Sequence, residues 1–179
     1  NAGQVGDEKF NLYGRHVGGG VGRLSGVVEK AYNTGDIYTG FSVVGGIVGY
    51  WYAGSINNTF NTGNITVVNN NNVQSQVGGI VGAVDLSDND SSYILSNSYN
   101  LGTLRSFQKS TGANVIGGIL GMTFDWGPLN DKAVTISNVY TLGNLYVEDR
   151  DDSQVGAIVG GIGANTDVND LNISYANFI

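Results

Sequence analysis

The sequence predicts an all-β protein: a parallel, right-handed β-helix, or solenoid, of about five coils with variable loops. Three observations carry this expectation. A short glycine-rich apolar block recurs five times, a second block ending in an aromatic residue and a glycine comes after it, and only the connections change length. Self-similarity at a period of a few tens of residues marks a repeat architecture, in which each repeat buries its apolar face against its neighbours.

The first block reads Val17-Gly18-Gly19-Gly20-Val21-Gly22, Val44-Gly45-Gly46-Ile47-Val48-Gly49, Val77-Gly78-Gly79-Ile80-Val81-Gly82, Ile116-Gly117-Gly118-Ile119-Leu120-Gly121 and Val155-Gly156-Ala157-Ile158-Val159-Gly160. With first glycines at 18, 45, 78, 117 and 156, the spacings are 27, 33, 39 and 39 residues. Each central glycine would cost a helix about 1 kcal/mol, which favours strands. The paired glycines are expected at tight bends or where coils approach closely.

The second block has an apolar residue, an aromatic four positions later and a glycine three further on: Val28, Tyr32, Gly35; Ile56, Phe60, Gly63; Leu95, Tyr99, Gly102; Ile136, Tyr140, Gly143. A fifth copy places Leu171 and Tyr175 in these roles, with Phe178 at the glycine position. Under a period of two, the apolar and aromatic residues share one face with the residue midway between them. The aromatics are therefore expected in the interior. The midway residues are Lys30, Asn58, Asn97, Asn138 and Ile173. Two readings stay open for the asparagines: a ladder of stacked amides, or a turn that ends each strand.

After each glycine comes a polar residue and then an aliphatic one: Ile37, Ile65, Leu104 and Leu145. Each repeat thus offers about three short strands, the inventory of one coil. Asn1-Ala2-Gly3-Gln4-Val5 reads like Asn33-Thr34-Gly35-Asp36-Ile37. Residues 1–179 are therefore expected to form a single segment that begins and ends part-way through a repeat, excised from a longer chain whose neighbouring coils it would contact. From the aromatic to the glycine is always three residues, whereas from the first glycine to the aromatic takes 14, 15, 21, 23 and 19. Loops are therefore expected at set corners of a fixed scaffold.

Composition narrows the function classes. Twenty-nine glycines with one proline exclude collagen, and 41% apolar with 10% aromatic residues is enough for a packed core. A net charge of −7, with Lys+Arg 8 against Asp+Glu 15, disfavours nucleic acid. No apolar run approaches the roughly 18 residues of a membrane helix, so membrane insertion is not expected. The absence of Cys excludes disulfides and thiolate metal sites.

The unit Gly45-Gly46-Ile47-Val48-Gly49-Tyr50, continued by Gly54-Ser55-Ile56-Asn57-Asn58-Thr59-Phe60-Asn61-Thr62-Gly63-Asn64-Ile65, resembles the GLUG-motif repeat region of large bacterial exoproteins. That region occurs in filamentous-haemagglutinin-like adhesins and in the N-terminal part of some immunoglobulin A peptidases. The resemblance covers essentially the whole chain, with departures at Gly20 and Ala157. It implies an extracellular or bacterial cell-surface location and an adhesive role toward host or bacterial surface proteins or glycans.

Little in the sequence points to catalysis. Gly18-Gly19-Gly20-Val21-Gly22 lacks the Lys-Ser/Thr ending of a phosphate loop, and its fivefold recurrence marks architecture. His16 is the sole histidine, and no serine sits in a nucleophile elbow. Acidic residues cluster at Asp85, Asp88 and Asp90, at Glu148, Asp149, Asp151 and Asp152, and at Asp167 and Asp170, all expected in solvated corner loops. Neither a metal nor a cofactor is expected. Four Asn-x-Ser/Thr sequons, at Asn57, Asn64, Asn89 and Asn172, fall within what an asparagine-rich chain produces by chance.

Loop aromatics are the candidate contact residues. Tyr50-Trp51-Tyr52 and Phe124-Asp125-Trp126 each come after the terminal glycine of an apolar block. Aromatic side chains at a surface anchor sugars or proteins. Tyr50, Trp51, Tyr52, Phe124 and Trp126 are therefore either a binding site or packing over an edge. The expected function is that of a noncatalytic adhesive segment; a carbohydrate-binding or polysaccharide-degrading module and the spacer of a surface protease are the alternatives.

Overall fold

The computed structural model describes residues 1–6, 16–69, 73–87, 92–108, 112–126, 132–148, 152–163, 166 and 171–178. These residues form nineteen strands and, among the described residues, no helix. The first repeat contains β1 (His16–Gly18), β2 (Val21–Glu29), β3 (Tyr32–Asn33) and β4 (Ile37–Thr39). The second contains β5 (Val43–Gly45), β6 (Val48–Asn57), β7 (Phe60–Asn61) and β8 (Ile65–Asn69). The third contains β9 (Ser75–Gly78), β10 (Val81–Asp85), β11 (Tyr93–Asn100) and β12 (Leu104–Gln108). The fourth contains β13 (Asn114–Gly117), β14 (Leu120–Phe124), β15 (Val134–Thr141) and β16 (Leu145–Val147). The last contains β17 (Gln154–Gly156), β18 (Val159–Ile162) and β19 (Leu171–Phe178).

Every strand pair is parallel, and equivalent strands of successive repeats lie side by side in three sheets. One sheet runs β1-β5-β9-β13-β17 and another β4-β8-β12-β16; the third collects the strands between. The register matches equivalent residues. Val17, Val44, Val77, Ile116 and Val155 form one continuous column. Ile37, Ile65, Leu104 and Leu145 form another, which Val5 extends through its bridge to Ile37. The predicted likeness of residues 1–5 to residues 33–37 is therefore real in space.

The apolar block is two strands, not one. Its paired glycines turn the chain from the first sheet into the central one, so Val44 and Val48 face different parts of the core. These glycines are obligatory on steric grounds. A Cβ on Gly46 would overlap the Gly79 carbonyl oxygen of the next repeat and lie 2.6 Å from Cγ of Asn61. The backbones of successive repeats approach too closely there for any side chain.

The aromatic residues depart from the expected interior position. Lys30, Asn58, Asn97 and Asn138 adopt left-handed backbone angles, with φ of 54, 53, 51 and 52°. A left-handed residue breaks the two-residue alternation, so the chain emerges with the opposite face inward. Ile56 and Thr59 are buried while Phe60 points outward. Tyr32, Phe60, Tyr99 and Tyr140 consequently stack in a column outside the sheet, with centroids 5.2, 5.1 and 4.9 Å apart and planes within 9°. Asparagine tolerates this conformation better than most residues, which explains three of the four positions. The asparagines bend the strand and also hydrogen-bond at the surface, Asn97 to Asn57 at 2.9 Å and Asn138 to Asn97 at 3.1 Å.

The buried amide ladder lies instead one residue after the aromatic. Asn33 donates to Asn61 at 2.8 Å, Asn61 to Asn100 at 2.8 Å, and Asn100 to Thr141 at 3.4 Å. All four residues are fully buried. Each asparagine also donates to the carbonyl of the glycine two residues on, Gly35, Gly63 or Gly102. Buried amides are thus satisfied by their own equivalents, as burial of polar groups requires.

The last repeat is registered two residues away from its predicted alignment. Ile173, not Leu171, pairs with Ile136, and Asn177, not Tyr175, pairs with Tyr140. Tyr175 takes the left-handed position at φ 51° and is 79% exposed. Phe178 lies opposite Thr141 rather than at the glycine position. The backbone pairing of the strand overrides the match of side-chain type.

Candidate binding groove

The aromatic residues after Gly49 divide by strand alternation. Tyr50 and Tyr52 are half-buried on the outer side of β6, while Trp51 points inward. Trp51 is fully buried, contacts Tyr93 edge-on at 5.5 Å and donates its indole N–H to the Ala53 carbonyl at 3.2 Å. It is a core residue, and the expected surface role is corrected: in register it stacks between Leu24 and Val84, both apolar.

Tyr50, Phe124 and Trp126 do meet, although they are not equivalent positions. Tyr50 pairs in register with Ala83, whereas Phe124 pairs with Asp85. Their rings nevertheless form a chain of pairwise contacts that begins at His16: His16 to Tyr50 at 4.3 Å, Tyr50 to Phe124 at 5.8 Å and Phe124 to Trp126 at 5.6 Å. Together with Arg23, Phe41, Ser42, Val43 and Val73 they line an open groove of about 740 Å³. That volume is in the range of small-molecule sites, and the mix of aromatic walls with few polar groups is typical of them.

The groove's charges are arranged unevenly. Asp85 is buried at the end of β10 rather than solvated in a loop, contrary to expectation. Its carboxylate accepts from the Tyr50 hydroxyl at 2.5 Å, from the Ser87 amide at 3.0 Å and from the Ser87 hydroxyl. Ser87 Oγ lies 3.1 Å from Asp125 Oδ1 and accepts from the Trp126 amide at 2.8 Å. The main chain of Trp126 is thereby fixed while its residue remains 70% exposed. Burial, and then the bond to Asp85, push the Tyr50 pKa up, so this phenol keeps its proton. Arg23 lies 5.6 Å from the Tyr50 ring centroid and 5.0 Å from that of Tyr52.

No family model, curated protein or solved structure matches the chain. The site therefore has to be read from its own chemistry. Asp88, Asp90, Asp149, Asp151, Asp167 and Asp170 lie outside the described residues; Asp152 is exposed, and Glu148 comes directly after β16. No group of three potential metal ligands comes together among the described residues. Of the residues lining the groove, sequence reasoning named Tyr50, Phe124 and Trp126 but missed His16, Arg23, Phe41 and Ser42; Tyr52 lies beside the groove, under the Arg23 guanidinium. Arg23 carried a usable signal, since it pairs in register with Tyr50 across adjacent repeats.

Proposed function

We propose that the chain is a rigid, noncatalytic segment of a secreted or cell-surface bacterial adhesin, built as a right-handed parallel β-helix of about five coils. Its variable corners present contact residues to host or bacterial surface proteins or glycans. The observation that supports this reading best is the in-register column Val17–Val44–Val77–Ile116–Val155 through five repeats, with a buried amide ladder Asn33–Asn61–Asn100 through three. Such stacking suits a stiff support, because each repeat is held by its neighbours and the connections of changing length lie outside the shared frame. Right-handedness accords with the general rule for parallel crossovers. The resemblance to GLUG-motif exoproteins points the same way.

The test is adhesion. Beads coated with residues 1–179 are expected to attach to host cells or extracellular matrix more than beads coated with an unrelated protein of equal charge. Equal attachment would count against the proposal, and so would polysaccharide turnover that disappears in Asp85→Asn. A second reading, carbohydrate binding, is favoured by one feature: an exposed Trp126 whose backbone is anchored at the rim of an aromatic groove.

A further inference from the structure

Resting on the adhesive reading, we infer that the groove lined by His16, Arg23, Phe41, Tyr50, Phe124 and Trp126 is a saccharide site selective for a carboxylated pyranose. In this site the ring of one sugar residue lies on Trp126 and the carboxylate of a neighbouring pyranose of the same oligosaccharide meets Arg23, because three strand steps separate β2, which carries Arg23, from β14, which leads to Trp126. The apolar and charged parts of the groove are separate, which matches a ligand with one hydrophobic face and one anionic edge. Phe124 backs the exposed Trp126 at 5.6 Å, and Phe41 and Val43 complete the apolar wall. Aromatic faces offer a large rigid contact area at small entropic cost.

The sign of the charge decides between acidic and neutral sugars. Asp85, the carboxylate nearest Tyr50, is buried and already accepts hydrogen bonds from Tyr50 and Ser87 on both oxygens. Arg23 is exposed, and no carboxylate among the described residues forms an ion pair with it. Its guanidinium sits over the Tyr50 and Tyr52 rings at cation–π distance, which leaves its N–H groups to a ligand. A guanidinium so placed fits a carboxylate bidentately. In a chain of net charge −7, Arg23 is the one Lys or Arg among the described residues that line the groove.

Calorimetric titration of residues 1–179 tests this with two matched pairs: a hyaluronan hexasaccharide against its carboxyl-reduced form, and sialyllactose against lactose. The first pair carries a uronate and the second a sialate, so together they separate the two sources of the carboxylate. At least one acidic member is expected to bind about tenfold or more tightly than its neutral partner. Arg23→Gln should abolish that preference, Arg23→Lys should restore part of it, and Trp126→Ala should weaken acidic and neutral members alike. Circular dichroism on each variant checks that the β signal is unchanged. The inference is overturned if the wild-type protein binds neither acid, if neutral and acidic members bind equally, or if Arg23→Gln keeps the preference. Bead attachment that survives in both variants would leave the adhesive reading standing while removing the groove from it.

Discussion

Two corners of the same repeat obey different logics. At the Asn-Gly corner, Asn33, Asn61 and Asn100 occupy one position in three successive repeats, and each amide bonds to its own equivalent. At the groove corner the equivalents are Tyr50, Ala83 and Met122, then Trp51, Val84 and Thr123, with no shared chemistry. There Tyr50 bonds to Asp85, a residue from a different register position in the next repeat. A residue whose partner is its own copy must be repeated in sequence to be satisfied. A residue whose partner is unlike itself is free of that constraint, and a site can be built there.

The comparison breaks most severely at Gly46. Gly46→Ala would drive a Cβ into the Gly79 carbonyl and to 2.6 Å from Asn61 Cγ. Asn61 is held in β7, and Gly79 lies in the bend between β9 and β10 with its own amide bonded to the Gly117 carbonyl, so neither can yield cheaply. The expected loss exceeds about 4 kcal/mol, seen as a collapse of soluble yield or of the urea midpoint. A loss under about 1 kcal/mol would mean that the repeats are not packed this closely.

Asn61→Ala is next. It removes the acceptor for Asn33, the donor to Asn100 and the donor to the Gly63 carbonyl. Leaving buried polar groups unpaired costs about 1–3 kcal/mol each before relaxation, so a loss of about 3 kcal/mol is expected in urea denaturation. Alanine at the exposed Asn58, by contrast, should cost much less, and equal losses at the two sites would erase the distinction between the ladder and the bend.

That distinction is also what the sequence conveys least well. The parallel register was legible, because Val17, Val44, Val77 and Ile116 recur with the same flanking glycines and stack as expected. The outward turn of Phe60 and Tyr99 was not, because one left-handed residue at Asn58 or Asn97 inverts the alternation on which the reading relied. The two-residue slip of β19 was hidden because Leu171 and Tyr175 mimic the types of Ile136 and Tyr140. In the groove, Phe124 and Trp126 could be named as aromatic loop residues. Their meeting with Tyr50 and Arg23 could not, since unlike positions leave no periodic trace.

At the groove corner, Tyr50→Phe probes a pair rather than a ladder. Losing the hydroxyl deprives the buried Asp85 of one donor, for an expected cost of about 1–2 kcal/mol near neutral pH. The pH dependence gives a sharper signature. Folding raises the Tyr50 pKa above the value of about 10 that an unfolded tyrosine has. The folded chain therefore holds a proton that the unfolded chain releases. This contribution is complete below about pH 10 and is lost as pH rises above it toward the folded pKa. Urea melts at pH 8 and pH 11 should show the wild type losing more stability than Tyr50→Phe over that interval. Parallel losses would show that the phenol does not retain its proton.

The smallest expected effect is a gain. The ladder changes chemistry at Thr141, which receives the Asn100 amide at 3.4 Å, longer than the 2.8 Å links before it. The facing glycines do not explain the change. The ideal Cβ of Gly118 lies 2.5 Å from Thr141 Cγ2, and that of Gly79 lies 2.5 Å from Asn100 Cγ, so the two sites are equally filled. Thr141→Asn should therefore fit, accept from Asn100 through an amide oxygen and donate to the Gly143 carbonyl as Asn100 does to Gly102. One added buried hydrogen bond is worth about 0.5–1 kcal/mol, a small but measurable rise in the urea midpoint. If Thr141→Asn instead destabilises the chain, the ladder depends on the residue stacked beyond its last rung. Phe178 lies opposite Thr141 where an equivalent asparagine would be needed to accept the next amide, so the ladder would then stop where its copies stop.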